Sequence, residues 1–124
     1  MAAFDAERVS RAITAALAGP GGIGLVVNVF AGLPGVAHTP ARRGVFRSQP
    51  ARIQIADWRY EVTTDNRLSA AHVVNGIVIA EEILLADAVG PHIARSLQQV
   101  VARYGAAIMP NIEAALDALK ASTG

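Results

Sequence analysis

HVVNGIVIAEEILL, residues 72–85, is the stretch whose reading decides the fold. Nearly every residue is apolar, yet Asn75-Gly76 sits inside it and Glu81-Glu82 lies near its end. As a helix capped by Ser69, it would place Val73, Ile77, Ala80 and Leu84 at helical spacing. Gly76 would then cost about 1 kcal/mol against alanine, and Val, Ile and Asn are only fair helix formers. As a hairpin, it would turn at Asn75-Gly76 in a two-residue type I′ turn, whose positive φ angles both residues tolerate. The hairpin is preferred, because Asn-Gly between β-branched runs is the strongest short-range hairpin signal. Regular pairing from that turn sets Val74 opposite Ile77, His72 opposite Ile79, Ala70 opposite Glu81 and Leu68 opposite Ile83.

Upstream, ARIQIADWRYEVTTDNR (residues 51–67) continues the strand pattern. Ile53 and Ile55 share one parity, and Trp58, Tyr60 and Val62 the other. A bulge near Ala56-Asp57 would bring all five to one face. Thr63 to Asn66 reads as a turn, with Asp65 and Asn66 suited to bending the backbone. The run GIGLVVNVF, from Gly22 to Phe30, is continuous and β-branched, which predicts a strand covered on both faces. Residues 32–50 read as a long irregular connection, rich in Gly and Pro, in which Val45-Phe46-Arg47 could pair as a short edge strand.

Both ends read as helical. Phe4 to Leu17 has an N-cap at Asp5, a Phe4–Val9 hydrophobic staple and a stripe at Val9, Ile13 and Leu17. Gly19 is expected to stop that helix in the left-handed region, with Pro20 beyond it. Pro91 suits a first helical position. From there Ile93, Leu97, Val100, Val101, Tyr104, Ile108, Ile112, Leu116 and Leu119 keep one apolar stripe across Gly105 and Pro110. Two helices, or one kinked helix, are expected. The chain thus reads as one α+β domain over residues 1–124. Its antiparallel sheet of about four strands has helices packed on one face. Both parities of the hairpin carry apolar residues, so a bare sheet face or the helical stripe is expected to pair with a second copy.

Composition bounds the function. Hydrophobic residues make up 52% and charged residues 17%, low for a lone soluble domain, which again favours self-association. There are no cysteines, which excludes disulfides and thiolate chemistry and suits a reducing cytoplasm. A net charge of +1 gives no push toward nucleic acid or an acidic membrane. The charge-free stretch between Ala12 and Ala41 is broken by glycine and proline, and Asp5 and Glu7 precede it, so neither a span nor a secretory signal is expected.

Candidate chemistry is sparse. AGPGGIG, residues 18–24, follows a helix and lacks the Gly-Lys-Ser/Thr of a phosphate loop, so it reads as a helix stop. His72 with Glu81 or Glu82 is the sharpest constellation. A carboxylate could hold the imidazole tautomer for acid–base work, but nothing supplies a nucleophile beside the pair. Trp58, Tyr60 and His72 could line a pocket for a small apolar ligand, against the plainer role of core aromatics. Arg42, Arg43, Arg47 and Arg52 occur without an intervening acid and could bind an anion or nucleic-acid phosphate, against the plainer role of a solvated loop. His38, His72 and His92 have no metal-binding spacing, and no cofactor motif is present. The leading expectation is a homodimeric interaction or ligand-binding module without catalysis. A small enzyme using His72 and Glu81 is the alternative.

The segment from Trp58 to Leu84, with Trp58, Tyr60, Asp65, Arg67-Leu68, His72-Val73-Val74, Gly76 and Glu82, resembles a small actinobacterial, chiefly mycobacterial, family of unknown function. The resemblance covers roughly the C-terminal two thirds of the chain. It implies a cytosolic mycobacterial protein and carries no catalytic residues.

Overall fold

The turn at Asn75-Gly76 forms. Asn75 has φ 52° and Gly76 φ 79°, the pair of positive angles a type I′ turn demands. The computed structural model describes residues 4–39, 42–43, 48–49 and 51–123. In chain order these form α1 (Ala6–Ala18), α2 (Gly22–Ala31), β1 (Ala37–Thr39), β2 (Arg42–Arg43), β3 (Ser48–Gln49), β4 (Arg52–Ile55), β5 (Trp58–Val62), β6 (Leu68–Val74) and β7 (Ile77–Leu84). Helix α3 (Ala86–Tyr104), a 3₁₀ turn (Ala106–Ile108) and α4 (Met109–Thr123) complete the chain. The main sheet is antiparallel, in the order β1-β4-β5-β6-β7, and β2 pairs with β3 separately. The fold is therefore α+β, with five strands where about four were expected. The count changes in three places: the strand expected over residues 22–30 is a helix, the single bulged strand expected within residues 51–67 is the two strands β4 and β5, and β1 forms within the expected irregular connection. Val45-Phe46-Arg47 lies outside the described residues.

One face of the sheet carries Ile53, Ile55, Tyr60, Leu68, Ala70 and Leu84, which join the helical residues in a single core. Ile53 pairs with Tyr60 and Ile55 with Trp58, so the five apolar residues of residues 51–67 do share a face. The device is a two-residue hairpin turn at Ala56-Asp57, with Ala56 at φ 54°, rather than a bulge in one strand. The bulge lies in the β6–β7 hairpin. His72 pairs with Ala80 but Val73 pairs with Val78, so Ile79 is an extra residue in β7. Beyond it every expected pair shifts by one: Ala71 meets Glu81, Ala70 meets Glu82, and Leu68 meets Leu84. The physical reason is burial. The shift puts Leu84, 6% exposed, beside Leu68 in the core and leaves Ile83, 49% exposed, on the far side. That far face carries Arg52, Gln54, Arg59, Glu61, Ser69 and Glu81, so it is mainly polar rather than an apolar face awaiting a cover.

Residues 22–31, expected as a strand, form α2. The buried residues are Ile23, Val26, Val27 and Phe30, spaced as one side of a helix, while Gly24 and Asn28 face solvent. Packing against α1 and α4 overrides the β-branched composition. Helix α1 begins as expected: the Asp5 carboxylate accepts from the Arg8 amide at 3.1 Å. It ends differently, since Gly19 is extended (φ −86°, ψ 178°) and Gly22 takes the positive φ. Helix α3 starts five residues before Pro91, which sits inside it. Gly105, at φ 77°, separates α3 from α4, so two helices form, with Pro110 tolerated in the first turn of the second. Tyr104, expected in the stripe, is 60% exposed.

Helix α1 packs on both α3 and α4, and the Arg8 guanidinium donates to both carboxylate oxygens of Glu113 at 2.6 and 2.5 Å, tying α1 to α4. Its approach to α3 depends on Gly90. A Cβ there would lie 2.6 Å from the Ser10 carbonyl oxygen and 2.8 Å from Thr14 Oγ1. Gly90→Ala is therefore expected to destabilise the protein by about 1–3 kcal/mol, although helix propensity alone favours alanine by about 1 kcal/mol. Urea unfolding gives the sign directly; stabilisation would mean the helices do not meet so closely.

Candidate functional site

Where β5 and β6 meet α3, three rings converge. The Trp58 indole stacks on the His72 imidazole, with centroids 4.7 Å apart and planes 12° apart. His92, from α3, meets Trp58 edge-on at 4.4 Å and Tyr60 edge-on at 5.5 Å. The register explains the grouping: Trp58 pairs with His72 across β5 and β6 on the face that α3 covers. The Tyr60 ring is fully buried, and its hydroxyl lies 2.7 Å from His92 Nδ1 and 2.6 Å from Ser96 Oγ. Ser96 Oγ in turn donates to the His92 carbonyl oxygen at 3.4 Å.

This network has no spare donor at its base. When His92 Nδ1 carries the proton, it donates to Tyr60, Tyr60 to Ser96 and Ser96 to the carbonyl. In the other tautomer Tyr60 donates to Nδ1 and accepts from Ser96. Burial pushes the Tyr60 hydroxyl well above the ordinary phenol range, more than its bond to Ser96 and the charge of Arg95 lower it, so it stays a neutral phenol. Burial, then the charge of Arg95, holds His92 below its ordinary value, and Glu82 partly opposes them. A neutral imidazole on a neutral phenol orients groups and can pass a proton between them. It does not make a nucleophile.

Above the network lies an open cleft of about 370 Å³, lined by Trp58, Glu82, His92, Arg95, Ser96 and Gln99. The sequence-derived residues divide around it. Trp58 lines it, Tyr60 lies beneath it, and His72 backs Trp58. Glu82, on the helix-facing side of β7, belongs to the cleft. Glu81 points to the other face and accepts from Ser69 Oγ at 3.3 Å. The His72–Glu81 pair is therefore split by the sheet, because the bulge at Ile79 exchanges the two glutamates. Among the arginines, Arg52 stands in β4 with its Nε 3.8 Å from Glu61, its partner across to β5. Arg42 and Arg43 form β2, and Arg47 lies outside the described residues. Among the described residues, no three His, Asp or Glu side chains gather as a metal site would require.

Sequence reading alone does not single out Arg95, Ser96 or Gln99, and it weighs His92 only as a metal ligand, without the spacing for one. A signal was present: His92, Ser96 and Gln99 fall at i, i+4 and i+7, a polar line beside the apolar line Ile93, Leu97 and Val100.

A small α+β domain with a polar, aromatic cleft is the class these features define. The chain belongs to the DUF5073 family, a domain of unknown function, whose model matches residues 1–121. That match takes in α1 and α2 as well as the segment that carried the resemblance. No curated protein and no solved structure matches the chain.

His92 yields a pH signature. In the unfolded chain a histidine takes up its proton near pH 6.5; in the fold, burial and Arg95 delay that uptake. The unfolded state then binds more protons in this window, so stability falls as pH drops through it. Glu113 and Asp65, held below their ordinary values of 4.5 and 3.8, titrate at more acid pH. The urea midpoint is expected to decline between about pH 7.5 and 5.5, and His92→Gln to flatten that decline. An unchanged slope in the variant would reject His92 as the source.

Proposed function

We propose that the protein is a non-catalytic interaction module that works as a homodimer, joined along the free edge of β7. The supporting observation is the edge itself. Seven of the eight residues of β7, Ile77 to Ile83, are exposed, and only Leu84 is buried. Val74, Ile77, Val78, Ile79, Ile83 and Leu85 are 39–69% exposed. Together they offer an apolar patch on the order of 600 Å², the upper end for a monomer. That is about three quarters of one partner's share of a standard interface. A long apolar edge strand with unpaired backbone groups templates another strand.

A second copy fits because one register is self-complementary. In antiparallel pairing about a two-fold axis at Ala80, Glu81 of each copy lies opposite Ile79 of the other. An axis at Glu81 would instead set like carboxylates face to face, which is destabilising. Pairing at Ala80 extends the sheet from five strands to ten and keeps both helical layers on one side. The cysteine-free composition suits the cytoplasm of an actinobacterial cell, the setting that the family resemblance implies.

Light scattering at micromolar concentration is expected to give twice the chain mass, and Ile79→Lys with Ile83→Lys to give a monomer that keeps its far-ultraviolet spectrum. A monomeric parent protein would reject the proposal. The register has its own test. Ala80→Cys introduces the chain's one thiol, and the Cα atoms of directly opposed residues lie about 4.5–5.5 Å apart, within disulfide range. A disulfide-linked dimer is expected on oxidation; a dimer that does not cross-link would move the axis away from Ala80.

A further inference from the structure

The cleft between α3 and the sheet holds charges of both signs that do not meet. Arg95 stands on the α3 wall, one turn beyond His92, and Glu82 on the β7 wall. Both line the same cleft as His92. Yet among the described residues no ion pair joins them, and Glu82 has no hydrogen-bond or ion-pair partner. The Arg95 guanidinium has only a long contact, 3.5 Å, from Nε to the Pro91 carbonyl oxygen. Elsewhere among the described residues four ion pairs do form: Arg8 with Glu113, Arg52 with Glu61, Arg67 with Asp65 and Arg103 with Asp57.

Between the two walls lie apolar and hydrogen-bonding surfaces. Trp58 supplies an indole held by stacking on His72 and by the edge-on contact with His92. Ser96 and His92 supply a floor already held by the Tyr60 hydroxyl, so little order is lost when a ligand settles there. The volume, about 370 Å³, is at the small end of ligand sites.

We infer that this cleft is a binding site for a small zwitterion of the amino-acid type, whose carboxylate meets Arg95, whose ammonium meets Glu82 and whose apolar group lies against Trp58. A guanidinium binds a carboxylate through two parallel hydrogen bonds. A carboxylate accepts the several protons of an ammonium. A ligand carrying both charges satisfies both walls at once, whereas an anion alone leaves Glu82 facing it and a cation alone leaves Arg95. The inference does not rest on dimer formation. Pairing along β7 engages the strand's backbone edge and leaves the side chain of Glu82 on the helix-facing side.

Trp58 is the chain's single tryptophan, so its fluorescence reports this cleft and nothing else. The probes are phenylalanine, which carries both charges, 3-phenylpropanoate, which lacks the ammonium, and 2-phenylethylamine, which lacks the carboxylate. Saturable change with phenylalanine is expected, with each half-ligand about five- to tenfold weaker. Arg95→Ala is expected to bring phenylalanine down to the level of the amine, and Glu82→Gln to bring it down to the level of the acid. Both residues are exposed, so both variants keep the fold, checked by far-ultraviolet spectra. No saturable response to phenylalanine would overturn the inference. So would a half-ligand that binds as well as the whole, or variants that do not alter the order. None of these outcomes bears on the mass measured by light scattering.

Discussion

One extra residue in β7 governs the arrangement of the molecule. Side chains alternate across a strand with period two, so a single inserted residue exchanges every side chain beyond it between the faces. With Ile79 out of register, Leu84 joins Leu68 in the core and Glu82 turns toward α3. Glu81 turns the other way, to Ser69. The gain is burial: a fully buried leucine contributes about 1.5–3 kcal/mol over an exposed one. The same shift leaves the far face of the sheet mainly polar and puts the sheet's large exposed apolar side chains at the hairpin end and along β7.

The buried hydroxyl of Tyr60 is the second constraint. An unsatisfied hydroxyl in a core costs about 1–3 kcal/mol. This one is satisfied twice, by His92 and by Ser96, and both come from a single face of α3. The network therefore sets how α3 lies on the sheet, and it holds the His92 ring where Trp58 can meet it. Structure and site share these groups. The side chains that seat the helix also form the floor of the cleft, which gives a small domain a rigid site without a separate scaffold.

Charge is distributed in two ways. Four ion pairs form among the described residues, and they include Arg8 with Glu113 across α1 and α4, and Arg103 with Asp57 across α3 and the β4–β5 turn. Such exposed pairs contribute little to stability, about 0–1 kcal/mol each. Glu82 and Arg95 are set apart on facing walls, at the point where β7 leaves the sheet open. A family defined only as a domain of unknown function thus has, in this chain, two surfaces that differ in kind: an apolar edge and a polar cleft.

How much of this was legible follows from the range of the forces. The Asn75-Gly76 turn and the Asp5 cap depend on backbone conformations that one or two residues favour by themselves, and the sequence determined both; at Gly105 it left a break and a kink equally open, and the folded chain has the break. It also determined that Ile53, Ile55, Trp58, Tyr60 and Val62 share a face, although it read the Ala56-Asp57 hairpin as a bulge. GIGLVVNVF has no such local signal. A continuous apolar run suits a buried strand or a buried helix, and only contact with α1 and α4 selected the helix that buries Ile23, Val26, Val27 and Phe30. The bulge at Ile79, and with it the choice of Glu82 over Glu81, was likewise decided by tertiary structure. Neighbouring registers satisfy the backbone nearly equally, and the difference lies in which side chains, far apart along the chain, become buried together.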